Sequence, residues 1–107
     1  MALLAKAVQT TANTEQLLYT VPASTEVLCS VNVCNKGTTA VKVRIGLLSS
    51  GESTTAAGGF IEYDTSIPAN GVLERTGILL SASEKIAVNS DTATNVAYIV
   101  VGKAAAA

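Results

Sequence analysis

The stretch Leu28–Leu48, LCSVNVCNKGTTAVKVRIGLL, decides how this chain folds. It holds both cysteines, Cys29 and Cys34, together with the basic residues Lys36, Lys42 and Arg44. Either it is a redox or metal motif, or it is a piece of structural sheet. Parity separates the two. From residue 25 to 34 the odd positions are Thr25, Val27, Cys29, Val31 and Val33, and the even ones are Glu26, Leu28, Ser30, Asn32 and Cys34. Side chains of a strand alternate between faces, so the odd set is expected to face a core. The next run repeats the pattern, with Val41, Val43 and Ile45 inward and Lys42 and Arg44 outward. NKGTT lies between them. Asn35 and Gly37 suit a short loop, with Gly37 left-handed, so the stretch is expected to form a hairpin that pairs Val33 with Val41.

That reading disposes of the cysteine chemistry. Fully extended, five residues span ~16 Å, and odd spacing sends the two thiols to opposite faces. A disulfide needs Cα atoms under ~7 Å apart, so Cys29 and Cys34 are not expected to bond to each other. C-x4-C alone is a poor metal motif. Cys29 reads as a small core residue. Cys34 reads as a free thiol, with packing at a subunit contact or an intermolecular disulfide as the alternatives.

The rest of the chain has the same texture. Short alternating runs rich in Thr, Val and Ile are separated by Gly, Asn, Pro and Ser. Strands are expected over residues 4–9, 16–21, 25–34, 39–48, 60–66, 72–80, 84–89 and 95–102. No window offers an amphipathic helix of useful length. IPANG, with Pro68 and Asn70–Gly71, marks a turn. SGESTTAAGG (50–59) reads as a flexible loop at one end and NSDTATN (89–95) as another loop. Eight short strands in 107 residues point to an all-β, single-domain antiparallel β-sandwich, jelly-roll or Ig-like. Residues 1–10 would be an edge strand or assembly arm and 103–107 a frayed tail.

Composition narrows the function. Hydrophobic residues make up 49% of the chain, too many for a disordered segment, and charged residues 14%, few for a highly soluble monomer. Such a surface suits packing against copies of itself or against another protein. Net charge is −1, so no basic field draws in nucleic acid. MALLAKAV lacks the long apolar region of a secretory signal. The apolar run in NVAYIVVGKAAAA is far short of the ~20 residues that span a bilayer. Synthesis and folding in a cytoplasm, without membrane partners, are expected.

Chemistry is sparse. The sequence has no histidine, which removes Ser-His-Asp triads, Cys-His pairs and most zinc sites. No Gly-rich phosphate loop is present. Glu62 and Asp64 are expected to share one strand face with Glu74 across from them, an arrangement open to a glycosidase pair or a calcium site. With aromatics at only 4% of the chain, a solvated or contact face is the better reading. Lys42 and Arg44 read the same way, and Tyr19, Tyr63 and Tyr98 as packing at the core edge. No catalytic residue, cofactor or metal is expected. The candidate subunit-contact residues are Asn32, Cys34, Lys42, Arg44, Glu62 and Asp64.

Several motifs together are similar to those of a known family. LYTVPA, then VNVCNKG, the basic residue in VRI, the IEYD strand, the IPANG turn and LSASEKIAV resemble small virion structural proteins of tailed bacteriophages, the cyanophage and marine phage type. The resemblance runs from Leu17 to Gly102. It implies a non-enzymatic β-sandwich made in the host bacterial cytoplasm and incorporated in the virion. A capsid decoration or cement protein is the leading expectation, bound to itself and to other virion proteins such as the major capsid or tail proteins. A tail or baseplate accessory, or a receptor- or carbohydrate-binding module on the tail, is the alternative. The N-terminal strand would pair with or swap onto a neighbour.

Overall fold

A computed structural model describes residues 2–106. Eight strands follow one another: β1 (Ala2–Val8), β2 (Gln16–Thr20), β3 (Thr25–Asn35), β4 (Val41–Leu48), β5 (Phe60–Ile67), β6 (Val72–Leu80), β7 (Lys85–Ser90) and β8 (Val96–Ala106). Each overlaps a run expected from alternation and turn residues, and the described residues contain no helix.

The pairing is nested. β1 pairs with β8, β2 with β7, β3 with β6 and β4 with β5, all antiparallel. The chain is thus one long hairpin, closed at residues 49–59 and rolled into two sheets. Pairing of β3 with β8 and of β4 with β7 completes them. Sheet A has the order β1-β8-β3-β6 and sheet B the order β2-β7-β4-β5. Only β4 and β5 are both consecutive and paired; every other connection crosses between the sheets. This four-and-four division is that of a jelly roll, which decides between the two sandwiches expected.

The expected hairpin between β3 and β4 is therefore corrected. Its faces are right: Val27, Cys29, Val31, Val33, Val41, Val43 and Ile45 are all buried. Its pairing is not, because β3 and β4 belong to different sheets and meet across the core. NKGTT is a corner. Asn35 fixes it, fully buried, with its Nδ2 at 2.9–3.2 Å from the carbonyl oxygens of Thr39, Ile67 and Pro68. Its Oδ1 accepts from the Gly37 N–H at 2.9 Å. That bond shapes the corner without the left-handed glycine expected, for Gly37 has no positive φ. In the IPANG turn the left-handed residue is Asn70 (φ 59°), and the Gly71 N–H closes the turn on the Pro68 carbonyl at 2.9 Å.

The core joins the inward rows of β3 and β4 to Ile86 and Val88 of β7 and Val96, Tyr98 and Val100 of β8. Each fully buried aliphatic side chain contributes roughly 1.5–3 kcal/mol. One polar pair lies inside: the Tyr98 hydroxyl donates to Gln9 Oε1 at 2.6 Å, and Gln9 Nε2 donates to the carbonyls of Thr11 and Thr14 at 2.7 Å. Burial pushes the Tyr98 phenol well above its ordinary value. Gly102 is in the core for a steric reason: a Cβ there would lie 2.8 Å from Cys29 Cα on the paired strand.

Two further expectations change. Residues Lys103–Ala106, expected as a frayed tail, extend β8, with Ala104–Ala106 paired to Thr25–Val27; Ala107 lies outside the described residues. The loop at 50–59 lies across sheet B. The Lys85 ammonium donates to the Ser50 and Glu52 carbonyls, the Thr55 N–H donates to Glu15 Oε2, and Thr55 covers Gly46.

Candidate functional site

The sandwich offers two broad outer faces, and they differ chemically. On sheet B the outward side chains of β4, β5 and β7 are polar. Lys42, Arg44, Asp64, Asn89 and Asp91 line an open groove of about 300 Å³. Arg44 forms a two-pronged bond with Asp64, Nε to Oδ1 at 2.7 Å and Nη2 to Oδ2 at 3.3 Å. The Arg44 guanidinium also lies 4.1 Å from the centre of the Tyr63 ring. The Arg44 hydrogen bond holds the Asp64 carboxyl below its ordinary value. Tyr63 packs edge-on against Phe60 at 5.0 Å and stays exposed, where a core-edge position was expected.

Asp64 and Glu62 do not share a face, and this is the main correction to the candidate site. Asp64 is left-handed (φ 52°) and sits where the β4–β5 register slips. A bulge adds one residue and reverses parity. Asp64 therefore points out to Arg44, while Glu62 turns into the open side of the sandwich. There Glu62 forms an ion pair with Arg75 of β6 and accepts from the Thr65 hydroxyl at 2.6 Å. Arg75 also donates to the Ile61 carbonyl at 2.9 Å. These bonds staple the edge of sheet B to the edge of sheet A. The Thr65 hydroxyl, then Arg75, hold the Glu62 carboxyl below its ordinary value. Glu74, expected across from both carboxylates, lies on sheet A opposite Asn32.

Sheet A turns outward a face on which large apolar side chains surround four charged ones, Lys6, Glu26, Glu74 and Lys103. The described residues expose eight large apolar side chains. Leu3, Val8, Leu28, Val72, Leu79 and Ile99, each 40–69% exposed, lie on this face, and Leu17 and Tyr63 lie on sheet B. Asn32 and Cys34 sit among them, half-buried. Cys29 is buried in the core with its thiol pushed up by burial, and both cysteines are free thiols. The six candidate contact residues thus divide. Asn32 and Cys34 are on the face of sheet A, Lys42, Arg44 and Asp64 are on that of sheet B, and Glu62 is at the edge between the sheets. The apolar face went unrecognised in the sequence, although its parity was legible. Leu28, Leu79 and Ile99 alternate with core residues and could have been read as a second apolar surface.

Among the described residues no group of three His, Cys, Asp or Glu side chains could hold a metal ion. Nor is any helix among the described residues long and apolar enough to cross a membrane.

No protein-family model matches the chain, and no curated protein matches it. Solved structures do. The fold is similar to a chain of the acid-stable capsid of Helicobacter pylori bacteriophage KHP30, at 15% identity and a TM-score of 0.52, over 96% of this chain and 91% of that one. It is also similar to a chain of the infectious bursal disease virus Gx strain, at 10% identity and a TM-score of 0.53, over 95% of this chain. The VP2 subviral particle of infectious bursal disease virus gives 9% identity and a TM-score of 0.51, over 96% of this chain. This chain spans 30% of each of those two viral chains, so it corresponds to part of them. At such identities the likeness is one of fold.

Proposed function

We propose that this chain is a non-enzymatic structural protein of a virus particle, a capsid decoration or cement protein that stabilises the shell through subunit contacts. The observation that carries the proposal is the whole-length likeness to a chain of a phage capsid structure, 96% of one and 91% of the other. The surface supports it. A shell protein works by being covered, and this sandwich carries six exposed large apolar side chains on the outer face of one sheet and a polar groove on the other. Its side chains are short and its charges few, so ordering them in a contact costs little entropy. The partners are copies of itself and other virion proteins. Edge strand β1, at the rim of sheet A, is a candidate for pairing with a neighbour.

A receptor- or carbohydrate-binding module on the tail is the second reading. One observation favours it: Phe60 and Tyr63, with Ala57, line an open cavity of about 410 Å³ beside Arg44. Copy number separates the two. Quantitative mass spectrometry of purified particles of the encoding virus should find on the order of hundreds of copies, in keeping with a repeating shell lattice. A few dozen copies or fewer would move the protein to the tail, and its absence from particles would overturn both readings.

A further inference from the structure

Outward side chains of sheet A stand in rows across the strand order β1-β8-β3-β6. One row reads Lys6, Ile99, Asn32, Glu74, and its neighbour reads Val8, Ala97, Cys34, Val72. The first row carries a cation at one rim and an anion at the other. Neither Lys6 nor Glu74 belongs to an ion pair among the described residues. We infer that this face docks a second copy of the chain, face to face, about a two-fold axis lying in the interface parallel to the strands, between β8 and β3.

Such an axis exchanges the rims, so β1 of one copy lies over β6 of the other. Lys6 then faces Glu74 of the second copy, and symmetry makes the contact twice. In the neighbouring row Val8 faces Val72 and Ala97 faces Cys34, apolar against apolar. The two-fold running across the strands through the same row would set Lys6 on Lys6 and Glu74 on Glu74, which like-charge repulsion disfavours. Aligned sheets pack at about 30°, an offset that displaces the row ends by an amount within a lysine's reach.

A second observation points the same way. Asn32 Oδ1 is buried and accepts no hydrogen bond in the single chain. In the pair Ile99 of the second copy faces Asn32 and covers it, and Lys6 of that copy, one strand away, has donors left after meeting Glu74 that can reach the Oδ1 atom.

The area sets the strength. Four strands ~4.8 Å apart and about seven residues long make a face of roughly 19 by 24 Å. That footprint is at the low end for a specific interface, so the dimer forms reversibly and fills as concentration rises. The inference does not rest on the virion reading and is tested on the purified full chain. Sedimentation equilibrium from roughly 1 to 300 µM should show monomer and dimer in exchange. Lys6→Glu and Glu74→Lys should each weaken the dimer by about tenfold, and the two together should restore it to within about threefold. A monomer at every concentration overturns the inference, as does association that single reversals leave unchanged or that the double reversal fails to restore.

Discussion

Tyr98 and Gln9 form the buried polar pair on which the N-terminal end of sheet A depends. Tyr98→Phe leaves the Gln9 Oε1 atom buried without its donor, while Gln9 Nε2 keeps its bonds to Thr11 and Thr14. The expected loss is roughly 1–3 kcal/mol, seen as a lower urea midpoint at unchanged m-value. Asn35 has a comparable structural role at the corner after β3. Neither role was legible in the sequence. A glutamine at a strand end and an asparagine two residues before a glycine have the same local appearance whether they face water or the core. Their partners, Tyr98 and Ile67, are distant along the chain and come near only through topology. What could be read residue by residue was parity. Alternation depends on nothing beyond the strand itself, so it places Cys29 in the core and Cys34 on the other face.

At the level of elements, strand positions were legible and strand partners were not. A turn that reverses a hairpin and a corner that passes the chain to the facing sheet use the same residues, and both put apolar rows inside. NKGTT has the composition of the first and is the second. The actual closure of the hairpin is the 49–59 loop, whose length hid it. The Asp64 bulge is hidden for a different reason: aspartate in a strand gives no local sign that it will adopt a left-handed conformation, so alternation alone places Asp64 on the same face as Glu62. Its consequence is testable. Glu62 is held below its ordinary value of 4.5, so the folded state binds its proton less readily than the unfolded state. The stabilisation is fully present above that value and is lost as pH falls through the depressed one. Glu62→Gln should flatten the acid limb of thermal stability below about pH 4.5, by no more than about 1 kcal/mol since Arg75 is partly exposed. An acid limb identical in the variant would mean that the bonds of Glu62 to Thr65 and Arg75 contribute nothing.

The whole molecule is a two-sided plate. Sheet B carries Lys42, Arg44 and Asp64 outward, and sheet A carries Leu28, Val72, Leu79 and Ile99. A sandwich needs only its inner faces to be apolar, so a second apolar face is unexplained by folding alone and asks for a partner. Low charge and high apolar content expressed this requirement in the sequence without locating it. The likeness to a phage capsid chain is one of fold, and an assembled particle is what we propose from it together with the motif resemblance to phage virion proteins. A cryo-EM reconstruction of the encoding virus tests that account most directly. It predicts density for this eight-stranded sandwich repeated over the shell surface, with the apolar face of sheet A covered in every copy. A complete particle map in which no density on shell or tail accommodates the sandwich would contradict it.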